Sequence, residues 1–298
     1  MDRSSAPPDR ITLIAFATAV LIGGMNFVAV RFSNRELAPL YGAGARFAMA
    51  AILFLVIMRL RGASFPRGRA LVGSVIYGVL SFAVVYALLY WALQSLSAGV
   101  AAVLLASTPL LTLFVVALHG LEPFRVRGMV GSLIAVVGIA VLANAPSDAR
   151  IELLPMLAVL GGALAAGYSG VVLKMFPPTN PVATNATAMA VGSGLLLAMS
   201  AIAGESWIVP SEKATWVALS YLVVIGSLGL FGLFLFTLAR WTASAVAYMG
   251  ALMPIAAMVF AALIAGEPIT VAGVAGGAIV LFGVWVGALS RPRRRTAD

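Results

Sequence analysis

Long apolar runs alternate with short polar connectors along this chain, and the alternation repeats ten times. The runs cover roughly residues 11–30, 37–58, 70–92, 98–118, 127–143, 152–173, 182–203, 214–238, 243–264 and 271–289. The connectors carry turn and helix-stop residues: Arg61-Gly62 with Pro66, Leu121-Glu122-Pro123, Ala145-Pro146-Ser147, Pro177-Pro178-Thr179-Asn180 and Gly266-Glu267-Pro268. Most runs are close to the about 20 residues a helix needs to cross a hydrocarbon core. They lack the period-two alternation of barrel strands. A segment in lipid must satisfy its own backbone hydrogen bonds, so helices are predicted. The first run follows Arg10 and ends at Arg31 with no convincing small-residue cleavage site. It is therefore expected to stay in place as a span and not to be removed as a leader.

Composition strengthens this picture. Of 298 residues, 62% are hydrophobic and only 10% charged, with a mean hydropathy of +1.07. So few charges cannot cover a water-facing surface, and the solvent must largely be lipid. Ten spans would leave only about 100 residues for loops and tails. With no cysteine, disulfides, thiolate metal sites and cysteine nucleophiles are excluded. The net charge of +9 comes from basic residues in the connectors and in the C-terminal group Arg291, Arg293, Arg294 and Arg295. Assigned to alternate sides of a ten-span chain, Lys and Arg number fourteen on the side of the termini and four on the other, with Arg46 inside a span. Basic loops face the cytoplasm. Both termini are therefore expected to be cytoplasmic, and nucleic acid is not an expected partner.

The two halves repeat one another. At an offset of 145 residues, Ser97-Ala98 falls on Thr242-Ala243, Pro109 on Pro254, Glu122-Pro123 on Glu267-Pro268, and Gly128, Gly131 and Gly138 on Gly273, Gly276 and Gly283. Five spans per half is an odd number, so the second half enters the membrane from the opposite side. The expected architecture is an all-α polytopic membrane protein of ten transmembrane helices, built as two inverted five-helix repeats over residues 1–145 and 146–298. Secondary transporters use this plan, with a site near the midplane between the halves.

With a proline in each fourth span and a Glu-Pro after it, the chain resembles the drug/metabolite transporter superfamily, EamA type, over essentially its whole length. Further matching pieces are Gly23-Gly24-Met25-Asn26-Phe27 in span 1, Arg31 at its end, Pro39 then Arg46 in span 2, and Ala165-Ala166-Gly167-Tyr168 in span 6. A tryptophan frequent near the span 1 glycines is here Ile22 or a neighbour. Chain length and the aromatic residues of span 3 are most similar to the bacterial amino-acid exporters of the superfamily, the aromatic amino-acid exporters among them. The resemblance implies an inner-membrane protein moving metabolites outward.

The chemistry available inside the spans is limited. All ten acidic residues fall in tails, connectors or span ends. This argues against a buried carboxylate relay, against a multidrug exporter that needs a buried acid, and against an enzyme using paired aspartates and a metal. No metal and no cofactor are expected. Arg46 is the clear intramembrane charge; it either snorkels to anchor its span or meets a substrate carboxylate. Phe82, Tyr86 and Tyr90 recur every four residues on one helical face, followed by Trp91 and Gln94, and Phe231 answers Tyr86 in the second half. They line a cavity for amphipathic solutes or belong, with Trp241, to an interfacial belt. Asn26 of span 1, Tyr168 and Ser169 of span 6, and Ser107 and Thr108 beside Pro109 are candidate cavity residues or helix-packing groups. Tyr248 completes the candidate cavity, and Met25, Met249 and Met253 would give an adaptable wall or plain packing. Pro109 and Pro254 are candidate hinges, since proline removes a helical hydrogen bond. His119 is either an interfacial side chain or a titrating gate. Gly273 with Gly277, and Gly283 with Gly287, are small-xxx-small pairs suited to close helix packing within the chain more than between copies.

The expected function is export of amino acids and related small metabolites by alternating access, running downhill, with a proton-coupled multidrug or metabolite antiporter as the alternative. A monomer in the lipid bilayer is the expected form.

Overall fold

The structure is a computed structural model that describes residues 8–93, 95–96, 98–143, 153–266 and 268–289. Gln94, Ser97, Pro146, Asp148, Arg150, Glu152, Glu267 and the arginines from 291 onward lie outside the described residues. The described residues are helical, with no strand among them. Among the described residues, nine helices are long and apolar enough to cross a membrane: α1 (Arg10–Ser33), α2 (Pro39–Leu60), α3 (Arg69–Ala92), α4 (Ala101–Leu118), α6 (Leu153–Met175), α7 (Pro181–Ile202), α8 (Lys213–Arg240), α9 (Ala243–Ile264) and α10 (Val271–Leu289). A shorter apolar helix, α5 (Val126–Ala143), falls between α4 and α6.

Local chemistry sets the ends. The Asp9 carboxylate accepts from Thr12 N at 2.8 Å and opens α1. Proline occupies the first helical position of α2 and α7, where its missing N–H costs nothing. Thr270 caps Gly273 N at the start of α10. Gly62 and Gly204, with φ of 62° and 69°, close α2 and α7 in the left-handed conformation that glycine adopts most easily. Many large apolar side chains, such as Leu60, Leu118, Ile202 and Val271, point outward. On a water-soluble protein they would form aggregating patches; here they face the lipid.

The packing exchanges the two halves. α2 pairs with α7 and α5 with α10. α1 packs on α8 and α9, and α6 packs on α3 and α4. Two features of this arrangement were not predicted. α3 carries a π-helical stretch at Val79–Val84, and α8 carries one at Val224–Gly229, the same offset of 145 residues. α4 is also broken: the turn at Ala106-Ser107 precedes Thr108, so the predicted single run over 98–118 is two helical pieces. α9 has its own break at Ala247, not at the position matching that of α4.

The predicted glycine stripes form the contact between α5 and α10. A side chain at Gly131 would meet the carbonyl of Gly283, and one at Gly138 would meet Val280 N at 2.6 Å. A side chain at Gly276 would run into Leu142 N and the carbonyl of Gly138. The backbones touch, which only glycine permits. The contacting set in α10 is Gly276, Gly283 and Gly287, the last two both meeting Gly131. Of the predicted pairs, Gly283 and Gly287 face α5 together, whereas Gly273 sits against Met258 and Gly277 near Ile255.

Candidate functional site

Arg46 is buried, with 3% of its surface exposed, in the first half of α2. Its Nε donates to Ser227 Oγ at 3.2 Å and its Nη2 to Tyr86 Oη at 3.3 Å. The guanidinium carbon lies 4.5 Å from the centroid of the Phe47 ring and 5.8 Å from that of Tyr86. No carboxylate pairs with it among the described residues, and its Nη1 makes no hydrogen bond there. Taking a guanidinium out of water is costly. Two neutral hydrogen bonds and ring contacts offset that only in part. What remains is a planar fork with donors to spare, the geometry that grips a carboxylate in a bidentate way. Its partners come from both halves, Tyr86 from the first and Ser227 from the second.

An aromatic wall surrounds this fork. Phe47 meets Phe82, Tyr86 and Phe231 edge-on at 4.9, 5.0 and 6.2 Å. Phe82 meets Phe231 at 4.7 Å and Tyr77 at 5.6 Å, and Tyr86 meets Tyr90 at 6.0 Å. Edge-to-face pairs hold rings rigidly at small entropic cost. The predicted residues Arg46, Phe82, Tyr86, Tyr90 and Phe231 are thus brought together. Trp91 stands apart, 45% exposed and without a ring contact to the group. Trp241, considered for the belt, is buried against Phe16 at 5.5 Å.

Asn26 joins the group through α8. Its Nδ2 donates to Gly226 O at 3.0 Å, beside the Ser227 that holds Arg46. A side chain at Gly226 would occupy the place of the Asn26 carboxamide.

The other predicted polar residues are engaged elsewhere. Ser107 and Thr108 donate to Leu104 O and Leu105 O, each at 2.6 Å, filling the backbone break before Pro109. Ser169 donates to Ala166 O at 2.7 Å. Tyr248 bonds Gly128 O at 3.0 Å and Ser132 Oγ at 2.9 Å, and lines a cavity of about 30 Å³ with Arg125 and Ser244. Such hydroxyls are taken up by helix packing. Tyr168 Oη lies 3.2 Å from His119 Nε2, and His119 Nδ1 lies 2.9 Å from Val115 O. A carbonyl only accepts, so Nδ1 donates to Val115 O, and Nε2 is the nitrogen that faces the Tyr168 hydroxyl. Pro109 starts a helical piece after a true break, whereas Pro254 sits inside a continuous helix.

Sequence reasoning passed over Ser227 and Phe47. Both had a signal: Ser227 lies four residues before Phe231, and Phe47 adjoins Arg46. It also passed over Asn185 of α7, which is fully buried with neither amide atom partnered, and Tyr77, whose buried hydroxyl is likewise unpartnered. A buried amide without partners costs about 1–3 kcal/mol. Asn185→Leu, which keeps the volume, is expected to raise the thermal midpoint of the purified protein by a few degrees. A lower midpoint would show that the amide has partners.

The acids sit at junctions between the halves. Glu122, 8% exposed, accepts from Ala243 N at 2.7 Å and from the Ser244 hydroxyl, capping α9. This gives the Glu-Pro motif a structural role, negative charge at a helix N-terminus. Glu205 caps α2 through Leu40 N at 3.1 Å and Tyr41 N at 2.8 Å. Glu36 accepts from Ser211 N at 2.9 Å, Ser211 Oγ at 2.6 Å and Glu212 N at 3.1 Å. The Ser211 hydroxyl, then Thr215 and the Ser211 backbone, pull the Glu36 carboxyl from its ordinary 4.5 down to about 2. A depressed value means the contact contributes fully above pH 4.5 and is lost as pH falls through about 2. Proteolysis within residues 205–212, in brief pulses with a neutral protease from pH 7 to 5 and an acid protease from pH 4 to 2, each normalised to an unstructured peptide of the same sequence, is therefore expected to be unchanged from pH 7 to 5 and to accelerate only near pH 2 to 3. Acceleration already at pH 5 would remove the contact.

The family model of the EamA-like transporter family matches residues 10–144 and again residues 153–288. The chain belongs to the EamA-like transporter family. This EamA-like transporter is 27% identical, over 92% of its length and 97% of the relative's, to an "Uncharacterized transporter" of Archaeoglobus fulgidus. It is 26% identical to the "Uncharacterized inner membrane transporter YedA" of Escherichia coli K12, over 84% of its length and 81% of the relative's. It is 24% identical to a "Probable amino-acid metabolite efflux pump" of Salmonella typhimurium, over 93% and 95% respectively. A solved crystal structure superposes with a TM-score of 0.80 at 18% identity, covering 93% of this chain and 96% of that one, which shows the shared fold. The EamA-like chain is thus a multi-pass membrane transporter of the drug/metabolite superfamily.

Proposed function

We propose that this transporter exports amino acids and related carboxylate-bearing metabolites across the bacterial inner membrane by alternating access. The carrying observation is Arg46, a buried guanidinium with no carboxylate partner among the described residues, gripped by Tyr86 of one half and Ser227 of the other. The name of the Salmonella typhimurium relative, an amino-acid metabolite efflux pump, agrees with this reading. Asn26, Phe82, Tyr86, Tyr90 and Phe231 complete the site, with the aromatic wall receiving an apolar side chain.

The architecture follows from the same reading. α5 is the tenth span, residues 1–145 and 146–298 are inverted repeats, and both termini are cytoplasmic. Support comes from the exchangeable packing of the halves, the π stretches at one offset, and the basic asymmetry of the loops. Two near-equivalent halves have two packings of similar energy, open to one side or the other. The break before Pro109 is a flexible point in that exchange, with Pro254 its counterpart. The carrier acts as a monomer. It runs downhill, because Glu36, Glu122 and Glu205 are engaged in helix and loop capping instead of lining the site.

Flux of a panel of labelled amino acids in proteoliposomes tests this. Equilibration of at least one amino acid without any ion gradient is expected. Accumulation that requires an imposed pH gradient would support proton antiport, and no amino-acid flux would reject the substrate class.

A further inference from the structure

We infer that the Asn26 carboxamide oxygen receives the ammonium group of the transported molecule, so that the carrier selects α-amino acids over carboxylates lacking the amine. This rests on the carboxylate role of Arg46 and adds the second recognition element.

Asn26 is 8% exposed, and its two amide atoms have different fates. Nδ2 donates to Gly226 O at 3.0 Å, which fixes the carboxamide against α8. Oδ1 is buried and has no partner among the described residues. A buried acceptor without a donor is costly, and such groups mark places where something else binds. The next residue along α8 is Ser227, whose Oγ accepts from Arg46 Nε at 3.2 Å. Gly226 and Ser227 both belong to the π stretch Val224–Gly229. A π turn is wider than an α turn and recurs at functional sites. Here one residue faces α1 and the next faces α2. Consecutive Cα atoms are about 3.8 Å apart. An unfilled acceptor and an unfilled cationic fork are therefore anchored on adjacent residues of one segment.

That pairing matches an α-amino acid, whose ammonium and carboxylate groups share one carbon. Among the described residues, Glu36, Glu122 and Glu205 are engaged in helix and loop capping and are not offered to the ammonium. The amine must then be held by a neutral acceptor; of the unpartnered buried acceptors among the described residues, which include Tyr77, Asn185 and Thr215, Asn26 Oδ1 is the one whose side chain is bonded next to Ser227. A plain amine would put a second cation beside Arg46 and is rejected. A plain carboxylate would satisfy Arg46 and leave Oδ1 unfilled, so it binds more weakly.

The experiment is competition against counterflow of labelled L-phenylalanine, and in parallel L-leucine, in proteoliposomes of the full chain. Competitors are the unlabelled amino acid, its des-amino acid (3-phenylpropionate or 4-methylpentanoate) and its decarboxylated amine (2-phenylethylamine or 3-methylbutylamine). The wild-type protein is expected to prefer the amino acid over the des-amino acid by about tenfold or more, the size of one hydrogen bond to a charged group, and to ignore the amine. Asn26→Ala should erase the preference by weakening the amino acid alone, and Asn26→Ser, which keeps an acceptor, should retain part of it. Equal competition by amino acid and des-amino acid in the wild type, with both lost in Arg46→Met, would overturn the ammonium site and leave the carboxylate role standing. Equal weakening of both competitors in Asn26→Ala would also overturn it. Absence of counterflow for both amino acids would overturn the two together.

Discussion

Arg46→Met is expected to lower amino-acid flux about 100-fold or more while leaving the folded yield near that of the wild type. Two charge-assisted hydrogen bonds to a carboxylate are together worth roughly 3 kcal/mol or more, and each 1.4 kcal/mol is tenfold. Removing the charge itself relieves the cost of burying an uncompensated guanidinium, and replacing buried ions by apolar groups of similar volume is often neutral or stabilising. Tyr86 and Ser227 each lose a donor, a smaller penalty for neutral hydroxyls. Arg46→Lys keeps the charge on a point-like ammonium and cannot reproduce the fork, so flux should fall between the two. Flux per folded molecule in proteoliposomes, with yield from size-exclusion chromatography, separates the effects. If Arg46 merely anchors α2, Met and Lys would both transport normally, or Met would fail to fold.

The second large effect concerns folding. Gly276→Val is expected to remove most folded protein from the membrane. Its Cβ would run into Leu142 N and the carbonyl of Gly138, both main-chain atoms that cannot step aside as a flexible side chain can. Overpacking a core costs about 1–3 kcal/mol when side chains yield, and more when backbones must part. The α5–α10 contact joins the two halves, so its loss should uncouple them. Leu281→Val in the same helix is the control, since Leu281 is exposed toward lipid. Its yield should be unchanged. Comparable yields of Gly276→Val and Leu281→Val, measured by detergent extraction and chromatography, would contradict the close approach of α5 and α10.

Most of the architecture was legible in the sequence because lipid makes few demands, and makes them plainly. Long apolar runs had to be helices, and connector residues such as Gly62 and Pro177-Pro178 marked their ends. The repeat was visible in Pro109, Glu122-Pro123 and the glycines because those types are rare enough to register at one offset. Arg46 stood out as a charge among apolar neighbours, and Phe82, Tyr86 and Tyr90 as a face. The rest was hidden for physical reasons. A π stretch has no strong sequence signature, so Val79–Val84 and Val224–Gly229 looked like ordinary helix. Hydroxyls read alike in sequence whether they serve a site or a carbonyl one turn back. Ser107 and Ser169 were therefore indistinguishable from Ser227 until their partners were known. Tyr248 lines a small cavity with Arg125 and Ser244, and its sequence did not show that Gly128 and Ser132 also hold its phenol against α5. The glycine stripes promised close packing without saying which helix would come close.

Access to the middle of the site from both sides of the membrane is the most direct test of the account. The chain has no cysteine, so Phe231→Cys gives a single label position, partly buried against Phe47 and Phe82. A membrane-impermeant thiol reagent is applied to intact cells and to inside-out vesicles, with and without L-phenylalanine. Modification from both sides, slowed from both sides by the amino acid, is expected. Modification from one side only, or at rates the amino acid does not change, would contradict it.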